Sequence, residues 1–428
     1  MKAALLNYFK HKNILILGFG REGQSLYNFL KRHHSDAKIA IVDIKTPTDH
    51  QLYLNANDYF KQLERFDIIV KSPGFVLGEK FPEPAKAKIT CLSDLFIRFC
   101  PAPIIGVTAT KGKSTTSSLV EHILKKVGKK SLLVGNIGKA CFDYVDEIDS
   151  DYIVAYELSS QQLEFTKHSP HVAILLNIYT DHLNYHGSIA AYAAAKKHIF
   201  QYQKANDLFI YGDFTPDRVH PDEIKACKAQ KISLETQNEI AISDIKTLLV
   251  GDHNKKDAIA AILACEFLGI DRKAAMQAIQ DFSPLEHRLE HVGNFKGIDF
   301  YNDSIATNQE AVIAGIKALP KLKTIIVGGA RKGFKYDLLV NFLLTTPVEN
   351  ILLLPDTDVE IQALFDQHQH HKNLVHIKDL AEGVKLAYQL TPAGFAAALE
   401  PAAASFNQFK NFEERGEKFR TFVQKYSA

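Results

Sequence analysis

The stretch GVTATKGKST, residues 106–115, decides how this chain is read. It follows the apolar run 104–107 and precedes a segment of helical pattern, so a buried strand feeds a glycine-containing loop and then a helix. The loop ends in the GKS of a phosphate-binding loop, although its first glycine stands one position earlier than the strict GxxxxGKS spacing. In such a loop backbone N–H groups cradle phosphate oxygens, Lys113 reaches the β- and γ-phosphates, and Ser114 faces Mg²⁺. Two further apolar runs end in the same way. Asn13–Leu17 runs into GFGREG, and 324–327 runs into GGARKG. Loops at the carboxyl ends of parallel strands are where α/β sheets bind ligands. Three such units predict an α/β protein of three domains. These are a Rossmann-like N-terminal domain over 1–100, a central P-loop ATPase with a mainly parallel sheet over 101–284, and a C-terminal Rossmann-like domain over 285–428. The breaks are placed at the prolines of CPAP (100–103) and FSPLEHR (282–288).

Composition removes several function classes. The 51 Lys and Arg residues against 49 Asp and Glu leave a formal charge of +2, which excludes a nucleic-acid binder that depends on neutralising phosphates. Cys91, Cys100, Cys141, Cys227 and Cys265 are scattered, with no CxxC spacing. That pattern speaks against a disulfide framework or a zinc site and for a reducing cytoplasm. The opening MKAALLNYFKHKN lacks the apolar core of a signal peptide, and no run of about eighteen apolar residues follows, so no membrane insertion is expected.

In ILGFGREG, Gly18, Gly20 and Gly23 have GxGxxG spacing, and Asp43 closes the next apolar strand, 39–42. Glycines there let the backbone approach a diphosphate at a helix N-terminus, while the acid holds a ribose or base edge. A nicotinamide cofactor and a sugar nucleotide both satisfy this pattern. A second loop at the same edge, SPG (72–74), follows the strand 68–70. Beyond the phosphate loop, the strand 152–155 runs into YELSSQQLE with Glu157 at its end. The strand 173–176 runs into NIYTDHLNYHGS, which carries His182, and YAAAKKHIF then places Lys196 and Lys197 on a helix. A carboxylate and a histidine on neighbouring strand ends beside a phosphate loop are suitable ligands for a hard metal.

In this order and spacing, the blocks resemble the Mur ligase family along essentially the whole chain. They are VTATKGKST (107–115), GNIG (135–138), ELSSQQLE (157–164), TDHLNYH (180–186), GDHN (251–254), HR (287–288), NDSIATN (302–308) and PAAASFNQFKNFEERG (401–416). The last block is similar to the branch that adds glutamate to UDP-N-acetylmuramoyl-L-alanine, and unlike the other members or the folate polyglutamate ligases.

The resemblance implies an ATP-dependent, amide-forming ligase of peptidoglycan precursor synthesis, joining D-glutamate to that sugar nucleotide through an acyl phosphate. It also implies roles. Thr110, Lys111, Gly112, Lys113, Ser114 and Thr115 would surround the ATP phosphates, and Asn254, Arg288 and Asp303 would complete the ATP site. Of two Mg²⁺ ions, one would be held by Ser114 and Glu157, the other by His182 and a Lys196 carbamylated with CO₂. Lys113, Glu157, His182 and Lys196 form the implied catalytic set. Gly20, Arg21, Glu22, Asp43, Ser72, Gly74 and Asn136 would hold the UDP-substrate, which removes the ambiguity of GFGREG. Thr307, Lys332, Ser405 and Phe412 would hold the glutamate. A cytoplasmic monomer is expected, whose C-terminal domain closes on the central one after ATP binds and shields the acyl phosphate from water.

Four positions depart from the family pattern. Ile305 stands where familiar members carry lysine, Asn407 where an acid is common, Ala109 where a glycine is usual, and Asp257 where an adenine-facing asparagine is usual. None removes a phosphate or metal ligand, so catalysis is expected to survive. Ile305 leaves D- and L-glutamate both open, and the residue types do not identify the base that deprotonates the amine. The remaining alternatives are another member of the superfamily and a non-catalytic UDP-sugar-binding homologue.

Overall fold

Runs such as NILIL (Asn13–Leu17) and NILLL (Asn350–Leu354) are buried almost throughout, the pattern of parallel strands covered by helices on both faces. The computed structural model describes residues 1–33, 36–43, 58–78, 80–237, 239–331, 333 and 335–427. The chain forms two compact units: Met1–Lys246 with Lys256–Gln280, and Thr247–Lys255 with Asp281–Ala428. Among the described residues there are three sheets, two in the first unit and one in the second. The architecture is α/β in three domains.

The first sheet orders its strands Lys38–Val42, Asn13–Leu17, Ile68–Lys71 and Ile89–Thr90, all parallel. The chain starts in the middle and then moves to either side, so the loops after Asn13–Leu17 and Ile68–Lys71 open a crevice at the switch point. The second sheet runs Gln230–Ser233, Leu208–Tyr211, Val172–Leu175, Ile104–Thr108, Tyr152–Glu157 and Lys130–Gly135, again all parallel. Ile104–Thr108 is central, and its neighbours end level with it, with Val107 opposite Glu157 and Thr108 opposite Leu175. Three loops therefore leave the sheet side by side.

The sheet of the second unit runs Glu290–Phe295, Ile298–Asn302, Ala396–Leu399, Leu322–Gly328, Asn350–Leu354 and Asn373–His376. All its pairs are parallel except the first. That pair is a hairpin turned by Lys296 and Gly297, both at positive φ (53° and 80°), as a two-residue turn matching strand twist requires.

The helix after the phosphate loop starts at Lys113, because Gly112 at φ +93° is its left-handed N-cap. Among the described residues no helix is long and apolar enough to cross a membrane.

The glycines of the first turn are not equivalent. A Cβ on Gly23 would meet the Gly18 carbonyl oxygen at 2.2 Å, whereas one on Gly20 would meet nothing within 4 Å. Gly23→Ala is therefore expected to destabilise the protein by about 1–3 kcal/mol, with Gly20→Ala close to wild type. Thermal unfolding of the two variants side by side checks this.

Candidate active site

The glycine turn is closed from two sides. Asp43 Oδ2 accepts the Phe19 N–H at 2.5 Å, and the Ser72 hydroxyl donates to the Gly18 carbonyl at 2.7 Å. Gly20, Arg21, Glu22, Asp43, Ser72, Gly74 and Asn136, all assigned to the UDP-substrate from sequence, line one cavity of about 370 Å³. Arg21 also ties the first sheet's domain to the second sheet's, donating to the carbonyls of Gly135 (2.6 Å), Asn136 (3.2 Å) and Gly138 (3.1 Å). Glu22 is buried and accepts from Gln162 Nε2 at 2.6 Å, while its Oε2 meets no donor. Burial raises its pKa above the ordinary carboxylate value.

A second cavity, of about 340 Å³, shares Pro73, Gly74, Asn136 and Ser159 with the first and adds Lys113, His182, Tyr185, Tyr192 and Lys196. Its wall is built by the three level strand ends. The phosphate loop is pinned to the next loop: Lys111 N–H donates to Asn177 Oδ1 at 2.9 Å, and Asn177 Nδ2 returns a bond to Lys111 O at 2.9 Å. Thr110 Oγ1 accepts the Tyr179 N–H at 2.9 Å and lies 3.0 Å from the Tyr192 hydroxyl. Ser114 and Thr115 are buried in the first turn of the following helix. Lys113 Nζ lies back across its own loop, donating to Ala109 O (2.9 Å) and Thr110 O (3.0 Å).

Two departures noted from sequence are now explained. Ala109 is not among the residues at positive φ, so nothing demands a glycine there. Asp257 packs under the loop, where a Cβ on Gly112 would meet its carboxylate oxygens at 2.7 Å.

Glu157 and Lys196 are both fully buried. Glu157 Oε1 accepts from Asn136 Nδ2 at 2.8 Å, and Oε2 meets no donor. Lys196 Nζ donates to Ala109 O at 2.7 Å and Thr108 Oγ1 at 3.2 Å, and lies 4.8 Å from the centre of the Tyr192 ring. Burial, then the charge of Lys113, pulls its pKa far below the usual lysine value, against the opposing charges of Asp181 and Glu157. His182 caps the short helix Leu183–His186 in a left-handed conformation, φ +51°.

In the second unit Asp303, Thr307 and Ser405 follow the strands Ile298–Asn302 and Ala396–Leu399, whereas Asn254 lies in the helix Asp252–Phe267 and Arg288 precedes the first strand. Asp303 Oδ1 accepts the Leu289 N–H at 3.1 Å, Thr307 N–H donates to Ile305 O at 2.8 Å, and Asn254 Nδ2 donates to Val250 O at 2.7 Å. Arg288 is half-buried and flanked by His287 and Leu289, both at positive φ (62° and 47°). Ser405 is buried, and Phe412 opens the helix Phe412–Tyr426 with its carbonyl accepting from Ser304 Oγ at 2.7 Å. Asn407 Nδ2 donates to Pro355 O at 3.3 Å. Lys332 lies outside the described residues.

Residues 107–265 match the model of the Mur ligase middle domain. The chain is 33% identical over 452 residues to UDP-N-acetylmuramoylalanine–D-glutamate ligase of Clostridium kluyveri, covering 97% of each chain. It is 30% identical over 455 residues to the Clostridium botulinum enzyme of the same name, covering 98% of each. The chain belongs to the Mur ligase family. Among solved structures it resembles MurF from Acinetobacter baumannii, with TM-score 0.63, 16% identity and coverage of 96% of this chain and 93% of that one. It also resembles UDP-N-acetylmuramate-alanine ligase MurC from Thermotoga maritima, with TM-score 0.59, 17% identity and coverage of 97% and 100%. Likenesses at such identity speak for the Mur ligase fold alone.

Two buried charges in the second unit escaped the sequence reading. Among the described residues Arg415 bonds only to uncharged acceptors: Ser304 Oγ (3.1 Å), Ser304 O (2.8 Å), Ala403 O (3.1 Å) and Ala404 O (3.2 Å). Burial pulls its pKa down to about 9. Its position inside the block QFKNFEERG was visible, but its neighbours were not. Glu400 is fully buried, one residue before the quoted block, and faces Gly315, where a Cβ would meet its Oε1 at 2.3 Å. Its only sequence signal was an acid ending the strand AAAL.

Burial, then the charge of Asp303 beside it, raises the Glu400 pKa well above the carboxylate value. The folded state therefore holds a proton that the unfolded chain releases above about pH 4.5, so Glu400 erodes stability as pH rises from there. Glu400→Gln is expected to stabilise the protein more at pH 8 than at pH 5. Denaturant unfolding at the two pH values checks the sign.

Proposed function

We propose that the protein joins UDP-N-acetylmuramoyl-L-alanine to D-glutamate at the expense of ATP, through an acyl phosphate, in peptidoglycan precursor synthesis. One observation carries the reading. A cavity built on a glycine turn and Asp43 opens, through Pro73, Gly74, Asn136 and Ser159, into a cavity holding Lys113, His182 and Lys196. A long sugar nucleotide can lie in the first and present its carboxylate in the second. The full-length relatives named for this reaction support it.

A carboxylate does not accept an amine at neutral pH until its oxygen becomes a leaving group. Attack of that oxygen on the γ-phosphorus releases ADP and gives the acyl phosphate. Attack of the glutamate amine on the acyl carbon then releases phosphate. The first step brings anions together, so its barrier is electrostatic. Lys113, swung from its carbonyl contacts onto the phosphates, would neutralise them, while the amides of residues 110–115 align them.

Mg²⁺ fits the donor set. Glu157 offers a buried oxygen with no donor, beside the phosphate loop that carries Ser114. In this reading Ser114 and Glu157 hold one ion, and His182 with a carbamylated Lys196 holds a second. When bound, these ions would supply positive charge to the transferring phosphoryl group. The carbamate needs an uncharged amine, and burial favours the uncharged form of Lys196.

Asn254, Arg288 and Asp303 are assigned to ATP, and Thr307, Lys332, Ser405 and Phe412 to glutamate. The domains are placed at 1–100, 101–284 and 285–428, and the enzyme is read as a cytoplasmic monomer.

The test is phosphate release with ATP, Mg²⁺ and UDP-N-acetylmuramoyl-L-alanine, comparing D-glutamate, L-glutamate and no amino acid. Release that requires D-glutamate is expected. A requirement for L-glutamate would reassign the specificity of a loop that carries Ile305, and no release with either would leave a binding protein. Lys113→Ala is expected to lower the rate at least about a hundredfold, and near-normal turnover would remove Lys113 from the ATP site. Lys196→Ala should lose activity that millimolar formate or acetate partly restores, since either supplies the missing carboxylate. Absence of rescue would count against the carbamate.

A further inference from the structure

Lys71 ends the strand Ile68–Lys71, and its side chain is only 2% exposed. Its ammonium donates to the Tyr185 hydroxyl at 2.5 Å and lies 3.1 Å from Glu164 Oε2. Tyr185 donates to that same Glu164 oxygen at 2.7 Å, which closes a triangle of three polar groups. The ammonium also lies 5.5 Å from the centre of the Phe165 ring and 5.2 Å from that of Tyr185, within cation–π range. The chemistry proposed above uses none of Lys71, Glu164 and Tyr185.

The triangle joins two segments that the chemistry does use. Ser72, Pro73 and Gly74 follow Lys71 directly and line the sugar-nucleotide cavity. Tyr185 lies on the helix Leu183–His186, which His182 caps, and lines the adjoining cavity beside His182. A helix of four residues has no stability of its own, and a histidine at φ +51° holds that conformation only when its surroundings impose it.

Both domains anchor this helix. His186 Nε2 lies 2.9 Å from Ser160 Oγ and Tyr185 donates to Glu164, both within the second sheet's own domain. Lys71, which also holds Tyr185, comes from the first sheet's domain. Burial lowers the Lys71 pKa, and the largest influence opposing that shift is the charge of Glu164, the same carboxylate that holds the tyrosine.

Resting on the ligase reading, we propose that Lys71, Glu164 and Tyr185 are positioning residues. They tie the substrate loop 72–74 to the His182 loop, so that filling the sugar-nucleotide cavity favours the metal-binding arrangement of His182. The coupling is reciprocal, because it is a single free energy shared by two sites.

Calorimetric titration of UDP-N-acetylmuramoyl-L-alanine into the full-length, ATP-free protein, with and without saturating Mn²⁺, tests the proposal without turnover. Mn²⁺ is expected to tighten wild-type binding about tenfold. In Lys71→Met and in Tyr185→Phe that ratio should fall close to one, and Lys71→Arg should recover part of it. A role confined to general stability would lower the melting temperature and leave the ratio unchanged. Tyr185→Phe removes a single hydroxyl and keeps the test readable if Lys71→Met fails to fold. A ratio equal in wild type and variants, or absent from wild type, overturns the proposal. D-glutamate ligation by the same wild-type preparation separates the two claims. Ligation without coupling overturns the brace alone, whereas coupling without ligation sinks the ligase reading on which the brace rests.

Discussion

Glu157 and Lys196 are both taken fully out of water beside the strand that feeds the phosphate loop, yet no hydrogen bond joins them. An acid and an amine so buried would ordinarily be paired, because an unsatisfied buried polar group costs about 1–3 kcal/mol. Here one carboxylate oxygen is reserved by Asn136 and the other by nothing, while the amine is spread over a carbonyl and a hydroxyl. The arrangement leaves a carboxylate oxygen with no donor among the described residues, and an amine whose uncharged form burial favours. Something stronger must hold them apart, and that is the sheet. Glu157 is paired in parallel register with Val107 and Gly135 on either side, so its backbone has no freedom to shift.

The same register explains why the site needs two domains. The loop after Lys130–Gly135 carries Asn136, whose carbonyl and the flanking carbonyls of Gly135 and Gly138 receive Arg21 from the glycine turn. Asn136 therefore has three duties: its amide group orders Glu157, its carbonyl accepts Arg21, and its side chain lines both cavities. A sugar nucleotide that displaced the Arg21 contacts would be felt at Glu157 through one residue. Substrate recognition and the electrostatics of the reaction are thus mechanically close, although the two segments lie 115 residues apart in sequence.

The strands and their loops were legible because both have local causes. Doubly buried strands read as unbroken apolar runs, and a glycine turn or a GKS loop is specified by neighbours in sequence. Lys113, Glu157, His182 and Lys196 could be singled out because each stands at a strand end or on the helix behind one. What could not be read are pairs made across the fold. Nothing local marks Lys71 as the partner of Glu164, Gln162 as the partner of Glu22, or Asp257 as the support beneath Gly112. Arg21 shows the limit most plainly. Its place in the turn suggested a ligand contact, and it does line the cavity, but its guanidinium is largely committed to carbonyls of another domain. Ala109 shows the reverse case, a departure suspect by residue type that its backbone conformation makes harmless.

The second unit handles charge differently, and its two unforeseen residues account for how. A glutamate held there, as proposed, would bring two carboxylates, so a pocket assembled from strand ends would have to limit its own negative charge. Asp303 and Glu400 end neighbouring strands, and two ionised carboxylates there would repel both each other and the ligand. Burial against Gly315 opposes this by raising the Glu400 pKa, which favours its protonated form beside Asp303. Arg415 supplies the opposite sign without an acidic partner among the described residues, since its hydrogen bonds go to carbonyls and a hydroxyl of the loops after two strands. Its charge is therefore not cancelled locally, and it adds positive potential to the ends of those loops while fixing them in place. A chain that carries isoleucine at position 305 can in this way retain a cationic bias near Ser304 and Ser405. The bias is set by a buried arginine, whose charge is screened far less by salt than that of a lysine exposed on a loop.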